Sequence, residues 1–388
     1  MTLFARGFRP FFLLAALQAC FSVLFWLAIF AGLAPAPAWL SPSLWHAHEM
    51  IFGFVAAAAA GFLLTAAPTW TQSRAPSGAP LAALACLWLA GRIAMAFAGA
   101  LPLALVALLD VAFLPALAFA VGRPIVAARQ TRNYGFPAVL SALALANIAA
   151  HLDALGLVSG LASLCLHAGV DLAIVLIVVV GGRITPSFTA NAFRRDGIAA
   201  LVRTRPWIDR VAIAAVLGVA LANLLAPRTP ASGALALVAG LAVAARMSGW
   251  QTRHALRDPL VFSLHLGYAW VAIGLFAVAL ADLGGVIPWS VGLHAETTGA
   301  IGTMVLAVMT RVALGHTGRP LVAPRAASAA YLLVSAAAIT RTLGALGSSD
   351  SYLHVIALTA LLWASGFAAF LLHYAPILVR PRSDGAPG

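Results

Sequence analysis

Apolar runs of about twenty residues recur along the whole sequence, separated by short stretches rich in Pro, Gly and Ser. A run of that length crosses bilayer hydrocarbon as a helix. Lipid offers no hydrogen bonds, so each backbone N–H and C=O has to be satisfied within the run. The chain is 63% hydrophobic and 9% charged over 388 residues, with a mean hydropathy of +0.99. That composition excludes a soluble globular domain. The expected fold is all-α: one integral membrane domain over residues 1–388, with twelve transmembrane helices. The runs place them at about 11–33, 45–67, 79–99, 101–121, 135–152, 160–182, 207–226, 232–246, 260–282, 288–312, 327–346 and 351–376.

The charge pattern gives an orientation. All of the basic side chains are arginines, and the net charge is +12. These arginines sit in short loops between apolar runs, so they read as topology signals and not as a nucleic-acid surface. Loops that follow even-numbered spans carry Arg74, then Arg123, Arg129 and Arg132, and later Arg183, Arg194, Arg195, Arg246, Arg253, Arg311 and Arg319. Both ends of the chain add more, at Arg6, Arg9, Arg380 and Arg382, whereas the opposite loops carry chiefly Arg228 and Arg341. Both termini are therefore expected on the cytoplasmic side. Arg92 lies well inside a span, where an unpaired charge is costly, so a partner such as Asp110 or a cofactor carboxylate is expected. Cys20, Cys86 and Cys165 lie in apolar runs without C-x-x-C spacing, which predicts neither a disulfide nor a thiolate cluster.

With that orientation, six of the ten histidines fall in the outer half of the membrane: His46, His48, His151, His167, His294 and His354. His254, His265, His316 and His373 fall on or near the cytoplasmic side. Histidine is a common ligand of haem iron and copper, and ionisable groups inside a membrane are usually functional. The second, sixth and tenth spans each bring an imidazole to the outer half, a recurrence every four helices that suggests three pseudo-symmetric groups.

The densest stretch is Trp45-His46-Ala47-His48-Glu49-Met50. Residues two apart on a helix point about 200° apart, so His46 and His48 are expected to face different partners. Glu49 and Met50 share the face of His46. Met50 is either a soft metal ligand or ordinary packing, and Glu49 a group that orients a ligand. His167 and Asp171 share a face in the sixth span, as ligand and orienting acid or as a buried structural pair. His294 stands beside Glu296, and Glu49 and Glu296 are the only glutamates in the chain. The candidate metal ligands are His46, His48, His167, His294 and Met50, with Glu49, Asp171 and Glu296 supporting them. His151, His265, His316 and His354 are further candidates.

Two strings in the arginine-rich loops, Gly181 to Thr189 and Thr310 to Leu321, are expected to form tight turns. Their Arg183 and Arg311 are candidates for binding lipid phosphate, anions or haem propionates, or are simple topology determinants. No Walker loop, nucleophile elbow, H-E-x-x-H or dinucleotide fingerprint occurs.

The runs R-G-F-R-P-F-F (Arg6 to Phe12), W-H-A-H-E-M (Trp45 to Met50) and G-F-L-L-T-A-A-P-T-W (Gly61 to Trp70) resemble the NnrS family. So do G-G-R-I-T-P-S-F-T (Gly181 to Thr189) and L-G-H-T-G-R-P-L (Leu314 to Leu321). The resemblance implies a twelve-span bacterial inner-membrane protein containing haem, of b type, and copper. It further implies a role in denitrification and nitric oxide tolerance, with nitric oxide or a metal nitrosyl as ligand. The large subunit of haem–copper oxidases is a more distant likeness, also with twelve spans and outer-half histidines on spans two, six and ten. On that likeness, His46 and His48 bridge two sites, one shared with His294 and the other with His167. The seventh span lacks any histidine, which argues against an oxidase-type binuclear centre. Two other functions compete: an oxidoreductase fed by quinol or another redox partner, and a transporter of metal, haem or anions that uses Arg92, Asp110 and Asp171.

Overall fold

The computed structural model describes residues 2–37, 39–347 and 351–386. Among the described residues it is all-helical, and twelve helices are long and apolar enough to cross a membrane. They are α1 (Phe8–Phe30), α2 (Pro42–Thr71), α3 (Ala79–Ala96), α4 (Leu103–Ala127), α5 (Thr131–Ala154) and α6 (Leu161–Arg195). The second half comprises α7 (Pro206–Leu225), α8 (Pro230–Met247), α9 (Pro259–Gly284), α10 (Trp289–His316), α11 (Arg325–Gly344) and α12 (Tyr352–Val379). Large apolar side chains such as Leu17, Phe21, Leu108, Phe119 and Leu372 stand exposed along them. A water-soluble fold would bury these groups; a protein solvated by lipid does not need to.

The sixth span corrects the sequence reading most. It continues to Arg195 instead of ending near residue 182, so Gly181 to Thr189 is helix and not a turn. The physical reason is that the glycines serve packing. A Cβ on Gly181 would lie 3.1 Å from Met304 Cε and from the Tyr268 ring. The backbone around Gly181, Gly182 and Pro186 finds side-chain partners, as membrane helices allow. Arg246 of α8 donates through Nη1 to the Val178 carbonyl at 2.6 Å, and within the helix Thr189 Oγ1 donates to the Thr185 carbonyl at 2.7 Å. The tenth span likewise runs helically to His316, so only the later part of the Thr310 to Leu321 string turns.

Contacts divide the chain into two compact units. The first is Met1–Gly169 with Val312–Pro320 and Phe370–Gly388; the second is Val170–Arg311 with Leu321–Ala369. In the first, α2 packs on α1 and α4, and α4 packs on α3 and α5. Two glycines set how closely these helices approach. A Cβ on Gly61 would sit 2.6 Å from the Phe12 ring, so α1 and α2 meet almost backbone to side chain. A Cβ on Gly91 would come within 3.1 Å of Asp110 Cα, so α3 presses its Gly91–Arg92 turn directly onto α4. In the second unit, α8 packs between α7 and α9, and α10 between α9 and α11.

The Arg6 to Phe12 string and the Leu314 to Pro320 part of the later one belong to one assembly in the first unit. Arg9 is fully buried, and its Nη1 donates to the carbonyls of Leu378 (2.8 Å) and Arg380 (2.7 Å), closing the C-terminal end of α12. The His316 ring lies 5.6 Å from that of Phe8, and the His316 carbonyl accepts from Arg382 at 3.1 Å. Ser383 N donates to the Thr317 carbonyl at 3.0 Å. Arg382 is also hydrogen-bonded to Asp384, which holds that carboxyl down to about 2.

Two spans depart from regular α-helix. α2 widens into a π-helical segment over Glu49–Val55, and α10 does so over Ala295–Gly302. Each segment contains one of the two glutamates. These are also the most enclosed of the twelve spans. A π turn shifts the register of every side chain beyond it, and such turns concentrate at functional sites.

Candidate metal centre

The site is built on the π segment of α2. Ser41 caps the start of that helix, its side chain accepting from Leu44 N at 3.4 Å, with Pro42 in the first helical position. Where the helix widens, the Gly53 carbonyl accepts the Trp88 indole N–H of α3 at 3.1 Å. His48 and Glu49 are left fully buried, 0% and 1% exposed, among polar side chains from α1, α3, α4 and α5.

Glu49 sits at the head of the network. Its Oε1 takes Arg92 Nη1 at 2.5 Å and faces His48 Nδ1 at 3.2 Å, while its Oε2 accepts from Gln18 of α1 at 2.7 Å. Arg92 also pairs with Asp110 through its other terminal nitrogen, which supplies the partner that its burial requires. Asp110 Oδ2 is the hub of the other end. It faces His48 Nε2 at 3.2 Å and His151 Nε2 at 2.8 Å, and accepts from Asn147 Nδ2 at 2.9 Å. Asn147 Oδ1 lies 3.0 Å from His48 Nε2. Trp39, from the segment before α2, stacks on His151 with ring centroids 4.9 Å apart and the planes tilted by 12°.

His48, Asp110 and His151 each offer a ligand atom, and these atoms all lie within 4.8 Å of one another. Bonds of 2.0–2.1 Å around a tetrahedral ion place neighbouring ligand atoms about 3.3 Å apart. The 3.2 Å separation between His48 Nε2 and Asp110 Oδ2 is close to that spacing, and the 2.8 Å between His151 Nε2 and Asp110 Oδ2 is shorter than it.

The electrostatics are unbalanced in one direction. A carboxylate only accepts, so Glu49 requires a proton on His48 Nδ1. If His48 is neutral, its Nε2 then carries a lone pair. That lone pair faces Asn147 Oδ1 and Asp110 Oδ2, both acceptors, with the Asn147 amide fixed by its own donation to Asp110. The formal charges agree: Glu49 and Asp110 are negative, and among the described residues Arg92 is the one permanent cation paired with them. Either a proton or a metal cation completes this arrangement, because an uncompensated charge is very costly in a buried site.

The other sequence candidates have different surroundings. His46 packs against Trp26 with ring centroids 4.5 Å apart, so the two α2 imidazoles do face different neighbours. Met50 Sδ accepts from Ser22 of α1 at 3.3 Å. The partners of His48 come from α4 and α5 and from its own helix. In the first unit, His167 directs Nδ1 at the Ser163 carbonyl, 2.7 Å away.

In the second unit, His294 does the same to the Ser290 carbonyl, also at 2.7 Å. Asp171 accepts from Asn223 at 3.2 Å, and Glu296 is 6% exposed. His265 is fully buried, with Thr189 at 2.8 Å and Thr252 at 3.0 Å satisfying its two nitrogens, the surroundings of a structural histidine. The Arg311 guanidinium lies over the Phe188 ring at 4.2 Å, and Arg183 is half-buried. His354 is exposed.

Asp110, Asn147, Gln18 and Arg92 are the site groups that the sequence did not assign to a metal. One signal for them was present. Asn147 and His151 stand four residues apart, on one face of an otherwise apolar helix.

A search of curated proteins finds no match. The family profile described as NnrS protein matches residues 2–382, nearly the whole sequence, and the chain therefore belongs to the NnrS family.

Proposed function

We propose that this NnrS-family protein lies in a bacterial inner membrane, with both termini cytoplasmic. There it holds a transition-metal ion between His48, Asp110 and His151 and serves the cell's response to nitric oxide. One observation carries the reading. His48 Nε2, Asp110 Oδ2 and His151 Nε2 meet in a buried cluster that is short of one positive charge. Two imidazoles and a carboxylate suit copper(II), which binds such donors most tightly among the divalent first-row ions. Copper would supply one-electron chemistry and a site where nitric oxide binds.

The chain's own groups have separable roles in this reading. Glu49 holds the His48 tautomer and directs Nε2 at the ion. Arg92 neutralises one carboxylate charge and locks Glu49 and Asp110 in place. Trp39 and Phe52 flank the imidazoles, and the Phe52 ring lies 4.9 Å from that of His48.

Haem, which the family resemblance implies, does not fit between His48 and His151. One oxygen of Asp110 lies within hydrogen-bonding reach of both ring nitrogens, a spacing for a small ion and not for a porphyrin. His167 and His294 suit haem better. Each donates Nδ1–H to a backbone carbonyl of its own helix, the tautomer that places the lone pair on Nε2.

The same charge deficit favours a second reading, a proton held in a closed hydrogen-bond network, because every link in the network is already made. Loading the purified protein with copper(II) and washing away excess separates the two. Elemental analysis is expected to give about one copper per chain at this site, lost in His48→Ala, Asp110→Asn and His151→Ala. Wild-type loading in all three variants would refute the metal site. A wild type that retains no transition metal would leave the proton network.

A further inference from the structure

A second feature of the first unit is unrelated to the buried centre. A cavity of about 710 Å³ lies between the end of α2, the start of α3 and the last turns of α4. Its walls are apolar, including Leu84, Leu87, Phe119 and Ala120, and Phe119 is 69% exposed. Apart from Ser73, the polar side chains lining it are Arg74 and Arg123. Both arginines are exposed, and neither makes a hydrogen bond or ion pair among the described residues.

The lining chemistry narrows the occupant. No His, Cys, Met or Tyr lines the cavity, so it has no axial ligand for haem and no soft site for a metal. No carboxylate lines it, so it does not select a cation. An apolar slot ending in two unpaired guanidiniums suits an amphiphile with hydrocarbon below and an anionic group above. Arg74 follows the end of α2 at Thr71, and Arg123 sits one turn before the end of α4 at Ala127. Both positions are where membrane helices meet lipid headgroups. They also lie on the arginine-bearing side that the charge pattern assigns to the cytoplasmic leaflet.

We propose that this groove between α2, α3 and α4 is a binding site for an anionic phospholipid. An acyl chain lies along the Leu84, Leu87 and Ala120 wall, and the headgroup phosphate lies between Arg74 and Arg123. Guanidinium forks pair well with phosphate oxygens, and two of them favour a net-negative headgroup over a zwitterionic one.

Native mass spectrometry of the full-length, delipidated protein tests this with phosphatidylglycerol and phosphatidylcholine of identical acyl chains. The wild type is expected to retain phosphatidylglycerol about ten- to thirtyfold better. Arg74→Gln with Arg123→Gln is expected to erase the preference, and Arg74→Lys with Arg123→Lys to keep most of it. Ala120→Phe, which fills the slot, is expected to reduce retention of both lipids. If that variant fails to fold, the surface arginine pairs still decide the matter. Equal retention of the two lipids by the wild type would overturn the site. So would an unchanged preference in the Gln pair, or binding of oleate without binding of phosphatidylglycerol.

Discussion

Replacing Arg92 with Ala is expected to destabilise the folded protein by about 3–5 kcal/mol. The guanidinium is 8% exposed and bonded to both Glu49 and Asp110. Its removal leaves two carboxylates buried in a membrane interior with no permanent cation beside them, and breaking one partner of such a pair costs more than the pair itself contributes. The effect should appear as a large fall in the thermal midpoint of the detergent-solubilised protein. Adding Glu49→Gln and Asp110→Asn to the Arg92→Ala background should recover most of the loss, because the stranded charges are then gone. A single Arg92→Ala variant as stable as the wild type would show that the pair is solvated or neutral, contrary to its position.

Glu49→Gln is expected to leave the fold intact and to weaken metal binding by about 10- to 100-fold. Glu49 does not belong to the His48–Asp110–His151 ligand set. It acts by holding a proton on His48 Nδ1, and Gln is indifferent to which tautomer it meets. The substitution also removes one negative charge, so the centre no longer lacks a positive one. Competition with a chelator of known affinity measures the change, while an unaltered thermal midpoint excludes general damage. Unchanged affinity would mean that Glu49 serves Arg92 and Gln18 and not the ligand.

The twelve spans were legible because lipid leaves few choices: a run of about twenty apolar residues without internal charge has to be a helix. The limits were legible to the extent that breakers truly break. Pro and Gly ended α3 and started α4 nearly where expected, but Gly181, Gly182 and Pro186 in α6 did not end that helix. There the glycines accommodate Tyr268 and Arg246, contacts that no local pattern reveals.

The candidate site was half legible. The W-H-A-H-E-M run marked His48 and Glu49, because expensive polar groups at the head of a membrane helix invite a functional reading. Arg92 could be matched to Asp110 on charge alone. Asn147 and Gln18 were opaque, since an amide inside an apolar run has no signature until its partner is known. The π turn at Glu49–Val55 was equally hidden, because it depends on tertiary contacts such as that of Trp88 with Gly53.

The most direct test is the ligand set of the copper-loaded wild type and of His151→Ala, read by electron spin-echo modulation together with X-ray absorption. Imidazole nitrogens from His48 and His151 and an oxygen from Asp110 are expected in the wild type, with one imidazole lost in the variant. Sulfur from Met50 in the coordination shell, or two imidazoles persisting after His151 is removed, would contradict a centre built from α2, α4 and α5.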